Sequence, residues 1–297
     1  MNHISVLQNE VLEGLSLKKG EIFVDATLGS AGHSLSVCQS LGSEILVIGI
    51  DQDKERIEES QKKLEGSGCK FKLFNDNFRN LDKILKNQKV DKILFDLGLN
   101  SKQLESSGRG FSFLKEEPLL MNFGTNNTLT AKEILNEWAE ESIADVIWGY
   151  GGERFARKIA RKIVEERKGA EIKTTTDLVE IIERAVPAWY KKRKIHPATK
   201  TFQALRIAVN EELDSLKEGL EKGFEKLNSG GRIAVISFHE LEDRLVKRFF
   251  KELKERGQGQ ILTKKPTVPS RDEIMSNPRS RSAKLRIIEK KDEKPNI

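Results

Sequence analysis

The sequence predicts an α/β fold: a doubly wound parallel sheet with an inserted α-helical subdomain. Short apolar runs that end in glycine or in acids alternate with amphipathic stretches, the rhythm of parallel strands joined by crossover helices. The first of these runs ends in a glycine turn that opens a helix, as strands do at the carboxyl edge of an open sheet. From about residue 105 to 195 the alternation stops, and every periodic segment reads as helix.

EIFVDATLG (21–29) is the first buried strand, followed by the helix GHSLSVCQSL. EILVIGIDQD (44–53) is the second, and KERIEESQKKLEG after it is an amphipathic helix closed by Gly66. CKFKLFNDNF (69–78) and VDKILFDLGLN (90–100) are the third and fourth. The helical stretch holds TAKEILNEWAEESIADVIWGY, ERFARKIARKIVEERKG and TTTDLVEIIERAVPAWY, the last capped around Thr176 and Asp177. KTFQALRIAVNEELDSLKEGLEKGFEKL (200–227) reads as one long helix, GGRIAVISF (230–238) as a strand and ELEDRLVKRFFKELKERG as a helix. AKLRIIEK (283–290) closes the sheet. The expected organisation is a core of residues 1–104 and 196–297 with an insertion over 105–195.

Composition narrows the class. The 297 residues are 37% hydrophobic and 33% charged, apolar enough for a packed core. No apolar run approaches the ~18 residues of a membrane-spanning helix, and MNHISVLQNEVLEG has no apolar signal-peptide stretch, so a cytoplasmic protein is expected. Cys38 and Cys69 are too few to build a disulfide framework or a zinc cluster by themselves. Lys and Arg number 52 against 46 Asp and Glu, a net charge of +6. The cations cluster at Arg154, Arg157, Lys158, Arg161 and Lys162, at Lys191–Lys194, and at Arg279, Arg281, Lys284 and Arg286. A solvated helix face accounts for any one cluster; three together favour a nucleic-acid partner.

The strand ends carry the candidate chemistry. The turn Gly29-Ser30-Ala31-Gly32-His33 lets backbone amides approach a ligand, yet Ala31 and Ser34 occupy the second and third glycine positions of the dinucleotide pattern. A nicotinamide dehydrogenase is therefore disfavoured. Asp51 ends the second strand 22 residues after Gly29, a spacing at which an acid accepts ribose hydroxyls, although it or Asp53 also suits the cap of the next helix. Asp76 and Phe78 end the third strand, where an aromatic face packs on adenine or simply joins the core. Asp96 ends the fourth, in company with Asn100 and Ser101. The four ends together describe a site for a nucleoside-bearing cofactor. His239, Glu242 and Asp243 share a helix face that suits a metal, but capping by Ser237 or by the Glu242 and Asp243 carboxylates accounts for them better, and no metal is expected. Neither a nucleophile elbow nor a P-loop is present.

Read in order, HISVLQNEVLEGL, DATLGSAGHS, IGIDQD, FDLGLNSKQLESSGRGFSF, YGGERFARKIARKIVE, HPATKTFQALRIAVNEEL, GRIAVISFHELEDRLVKRF and NPRSRSAKLRIIEK resemble the RsmH (MraW) family of bacterial S-adenosylmethionine-dependent methyltransferases acting on 16S rRNA. The resemblance runs almost end to end. It implies a class I methyltransferase, a Rossmann-like sheet with a helical insertion, that uses S-adenosyl-L-methionine to methylate N4 of a cytidine in the decoding centre of the small ribosomal subunit. It also implies cofactor contacts at Ala31, Gly32, His33, Asp51, Phe78, Asp96 and Gln103. Asp96 is the leading candidate for assisting the N4 amine, with Asn100, His196 and His239 ranked behind it.

Two departures stand out. Ala31 replaces a second glycine of the turn, where a methyl crowds the cofactor unless φ is negative and the side chain points away. Leu120, Asn122 and Gly124 in PLLMNFG stand where the family typically reads P-L-D-M-R-M-D. The competing readings are a methyltransferase of the same fold with another nucleic-acid target and a non-catalytic, cofactor-sensing ribosome-binding protein. A homodimer through an apolar face of the insertion is open.

Overall fold

A computed structural model describes residues 5–99, 107–124 and 128–292. In chain order its elements begin with α1 (Gln8–Leu15), β1 (Ile22–Asp25), α2 (Gly32–Leu41), β2 (Leu46–Asp51), α3 (Lys54–Glu65), β3 (Lys70–Asn75), α4 (Leu81–Leu85) and β4 (Val90–Asp96). The helical stretch follows as α5 (Ala131–Glu137), α6 (Glu140–Gly151), α7 (Ala156–Glu166), α8 (Thr175–Ala185), α9 (Ala188–Lys191) and α10 (Thr199–Asn210). Then come α11 (Glu212–Lys226), β5 (Leu227–Ser237), α12 (Glu240–Glu255), β6 (Gly259–Ile261), α13 (Arg271–Ser276) and β7 (Lys284–Lys290). The chain divides into two compact units, Met1–Gly98 with Leu213–Ile297, and Leu99–Glu212.

The first unit is built on one sheet in the order β3-β2-β1-β4-β5-β7-β6. β1 to β5 run parallel and β7 antiparallel to β5. Because side chains alternate across a strand, each central strand feeds two cores. Val24, Ile48, Phe95 and Val235 meet Leu220 of α11 and Phe250 of α12 on one face. Phe23, Val47, Leu94 and Ala234 meet Val11 of α1, Val37 of α2 and Leu64 of α3 on the other. That double burial explains why these strands read as unbroken apolar runs. The chain leaves β1 toward β2 and β3 and then returns to β4 on the other side, which puts a switch point between β1 and β4. Cys38 of α2 and Cys69 before β3 are joined in a disulfide with Cα atoms 5.3 Å apart, a pairing the cysteine count alone did not suggest.

The second unit packs α5–α8 and α10 around Ile134, Ile147, Ile159, Ile163, Leu178, Ile182 and Leu205. TAKEILNEWAEESIADVIWGY is two helices rather than one, parted at Trp138, where the Arg167 guanidinium donates to the Leu135 and Trp138 carbonyls at 2.9 and 2.8 Å. α8 is capped by Thr174, not Thr176: its hydroxyl accepts from Asp177 N, and Asp177 returns the bond to Thr174 N.

The long helix expected over 200–227 is also two. Glu211 sits at φ 47°, ψ 41°, a left-handed residue that ends α10 before α11 begins. α10 belongs to the helical unit, so the division falls after Glu212 instead of at the 195/196 boundary read from sequence. Among the described residues, no helix is long and apolar enough to cross a membrane.

Candidate active site

The ends of β1, β2 and β4 converge through hydrogen bonds made by short polar side chains. Asp51 closes β2 with a carboxylate that takes Gly29 N on one oxygen and Asp53 N on the other, both at 2.8 Å. Asp53 supplies the cap of α3 by accepting from Glu55 N at 3.1 Å. The cap that the sequence left open between the two acids therefore belongs to Asp53. Burial pushes the Asp51 carboxyl up to about 6, while bonds from Asp53 N and Gly29 N and the charge of Arg56 pull the other way.

The glycine turn is clamped from α3. Ser60 Oγ donates to Gly29 O at 2.9 Å, and Lys63 Nζ to Ser30 O at 3.1 Å. Gly29 (φ 52°) and Ala31 (φ 60°) are both left-handed. The negative φ that would have relieved Ala31 is thus not what the structure has. Its methyl is instead fully buried in the core beneath α2, among Leu28, Val37 and Leu7. Gly32 is glycine for closeness: a Cβ there would strike Ser5 Oγ.

Asp96 ends β4 at the switch point, and its backbone N donates to Thr27 Oγ1 at 2.6 Å. One Asp96 oxygen lies 3.5 Å from His33 Nε2, and the other is buried with no hydrogen-bond partner among the described residues. His33 is 7% exposed at its side chain. Burial works against its charge, but Asp96, Asp25 and Glu273 outweigh that effect and hold its pKa above the ordinary histidine value. Beneath it Asp25 accepts from Ser34 Oγ at 2.7 Å, and burial raises the Asp25 carboxyl despite the nearby His33.

Phe78 is half-buried, edge-on to Phe95 at 5.5 Å and backed by Gly219 of α11, so it has joined the core as far as its contacts go. Asp76 accepts from Asn77 N and Asn80 Nδ2 and folds its own turn. His239 is the cap of α12, taking Glu242 N on Nδ1 at 3.4 Å while the Glu242 carboxylate accepts from His239 N; of the expected cappers Glu242 takes part, and the imidazole stands where Ser237 was the alternative. Asp243 faces Arg286 at 2.7 Å and Lys284 at 3.1 Å. His196 belongs to the helical unit, where it stacks on Phe113 at 4.7 Å and accepts from Ala198 N at 3.2 Å. Asn100, Ser101 and Gln103 lie outside the described residues.

Sequence reasoning passed over Thr27, Ser34 and Ser60, the hydroxyls that fix Asp96, Asp25 and the turn. The only signal was position: Ser60 and Lys63 recur three apart on the face of α3 that covers the turn.

The sequence matches the MraW methylase family over residues 1–291. The chain belongs to that family. It is a methyltransferase, its sheet is that of a class I enzyme, and its methyl donor is S-adenosylmethionine. It is 46% identical to a Sulfurihydrogenibium protein named "Ribosomal RNA small subunit methyltransferase H", over 97% of this chain and 98% of that one. A Dictyoglomus thermophilum protein of the same name is 45% identical, over 98% of this chain and 97% of that one. A solved structure of an rRNA methylase from Streptococcus thermophilus is similar at 13% identity and a TM-score of 0.46, covering 96% of this chain and 94% of that one.

Proposed function

We propose that this methyltransferase acts on rRNA of the small ribosomal subunit, at N4 of a cytidine in the decoding centre of 16S rRNA, and does so in the cytoplasm. The names of its relatives support the rRNA substrate. The observation that carries the amine reading is Asp96, its main chain held at the switch point by Thr27 and one buried carboxylate oxygen without a hydrogen-bond partner among the described residues.

The residues fit the donor. The Asp51 carboxylate closes β2 against Gly29 of the turn and keeps lone pairs beyond its two backbone bonds for ribose hydroxyls, Gly32 and His33 follow in the same turn, and Phe78 offers the uncovered part of its ring to adenine. S-adenosylmethionine supplies a methyl already activated on a sulfonium, so the protein's work is alignment and proton control.

Cytosine N4 is a weak nucleophile because its lone pair is delocalised into the ring. The free oxygen of Asp96 accepts one amine hydrogen and turns the lone pair toward the methyl. As the N–C bond forms and the C–S bond breaks, the amine proton passes to that oxygen. His33, 3.5 Å from the other oxygen, faces the carboxylate as its ion-pair partner. His196 and His239 are each engaged at the start of a helix, which favours Asp96 over those two.

Arg154, Arg157, Lys158 and Lys191–Lys194 are proposed to meet phosphates. Farther along α7, Arg161 pairs with Glu140 and Lys162 with Glu165 and Glu166, so the positive charge concentrates at the helix's first turn.

The test is incubation with S-adenosylmethionine and small subunits lacking base methylation, followed by digestion and mass spectrometry. N4-methylcytidine is expected from the wild type and is lost in an Asp96→Asn variant that still binds cofactor. Full turnover by that variant would remove Asp96 from the mechanism, and a different methylated nucleoside would move the target.

A further inference from the structure

Resting on the reading that the substrate is RNA, we propose that Trp189 is a stacking platform for an unpaired base of that RNA, with Arg154, Lys158 and Arg193 taking the adjoining phosphates. Trp189 is on the short helix α9 and leaves 54% of its surface exposed. An indole kept in water forgoes a large burial energy, which by itself is not unusual for one residue. Its setting is unusual on two counts.

The ring is rigidly mounted. Trp189, Tyr190 and Phe155 meet edge to face, with centroids 5.6 Å apart for Trp189–Tyr190, 4.9 Å for Phe155–Tyr190 and 6.0 Å for Phe155–Trp189. Tyr190 donates its hydroxyl at 2.6 Å to Glu153, which is fully buried and also accepts Phe155 N at 2.9 Å. Burial and the Glu153 carboxylate push the Tyr190 phenol up to about 12, so it remains a donor at any working pH. A platform already immobilised loses little entropy when a base settles on it.

The ring is also surrounded by cations. The Arg154 guanidinium lies 5.5 Å from the Trp189 centroid and 5.2 Å from that of Phe155. Lys158 is 5.8 Å from Phe155, and Arg193 is 5.3 Å from Tyr190. Among the described residues none of these three has a carboxylate partner, whereas Arg161 and Lys162 do. An aromatic face set in unpaired cations is the surface that single-stranded nucleic acid selects, the bases stacking and the backbone meeting the charge. A second copy of the chain would bring the same cations against these, and a duplex keeps its base faces covered.

The experiment measures binding of the full-length protein to a short unstructured RNA oligonucleotide and to the same strand annealed to its complement. Trp189→Ala is expected to weaken single-strand binding by about 5- to 150-fold, the range for one stacked base, and to leave duplex binding within about twofold. Trp189→Phe, which keeps a ring, is expected to recover most of the loss. Independently of folding, the single strand quenches wild-type tryptophan emission, and that quench is absent in Trp189→Phe. Unchanged single-strand affinity in Trp189→Ala, an equal loss for both forms, or an unchanged quench in Trp189→Phe overturns the platform. Wild-type protein that binds neither form also overturns the platform, whereas the RNA reading itself falls only if no methylated nucleoside is produced on subunits, whatever Trp189 does.

Discussion

Lowering the pH should loosen the grip on S-adenosylmethionine because Asp51 titrates inside the usable range. Its carboxyl sits at about 6 rather than 3.8, chiefly because it is buried. If the ionised form is what accepts the ribose hydroxyls, then at about pH 5 only about one molecule in eleven is competent, and Kd should rise about 11-fold over its value above pH 7. An Asp51 at its ordinary 3.8 would change Kd by less than about 10% over that interval. The stability of the ligand-free protein should move the opposite way. The folded state takes up this proton near 6 and the unfolded chain only near 3.8, so the Asp51 contribution to stability grows as pH falls through that window and is lost as pH rises through 6. The full span is on the order of 3 kcal/mol. Isothermal titration from about pH 8 to pH 5, paired with urea melts, measures both. His33 also has a raised pKa, so the control is Asp51→Asn, which should bind more weakly but lack the Asp51 part of the slope. A Kd that is flat over the range, or an Asp51→Asn profile as steep as the wild type's, would refute the assignment.

Thr27→Val strands the Asp96 N–H, now bonded at 2.6 Å; it should cost about 1–3 kcal/mol in a urea melt and lower kcat far more than it weakens cofactor binding. Asn210→Ala removes the partner of Phe123 N at 2.9 Å and of the Met121 carbonyl at 2.7 Å; each stranded group should cost about 1–3 kcal/mol, and limited proteolysis should open the chain near residues 119–124. Arg157→Glu with Lys158→Glu should flatten the dependence of single-stranded RNA affinity on salt by about 0.7 in log–log slope for each phosphate no longer neutralised, measured by fluorescence anisotropy across a salt series.

What the sequence made legible was whatever burial dictates. The central strands β1, β2, β4 and β5 announced themselves because their side chains are covered on both faces. By contrast β6, three residues whose place is set by pairing with β7, has too little length to show a period. The break at Glu211 was invisible because apolar residues recur at helical spacing straight through it. It is imposed from the tertiary structure: Arg206 pairs with Glu212 across the break at 2.7 Å, and Asn210 is occupied with Met121. The cap at Thr174 was readable, since among three successive threonines it alone has an acid three residues on. The acids at the strand ends were legible from spacing. The hydroxyls that aim them were not, because a serine or threonine near a strand end has many possible partners and the sequence does not say which.

The same distinction bears on Leu120, Asn122 and Gly124. The segment that carries them is held by its main chain: Met121 N donates to Arg109 O at 2.7 Å, Lys132 N to Leu119 O at 2.8 Å and Ala131 N to Leu120 O at 3.1 Å. Arg109 adds a 2.7 Å bond to the Phe123 carbonyl. Its apolar anchors, Leu119 and Met121, are fully buried in the helical core, and both match the resembled family's pattern. The three replaced positions alternate with the anchors and are only partly covered, so the changes fall on the side that does not hold the segment in place. What they alter is charge. An acid, an arginine and an acid sum to −1, and leucine, asparagine and glycine sum to zero, so this stretch repels a phosphate backbone less than its counterpart would. The replacements therefore leave the buried, fold-determining half of the motif in place and change only its charged half.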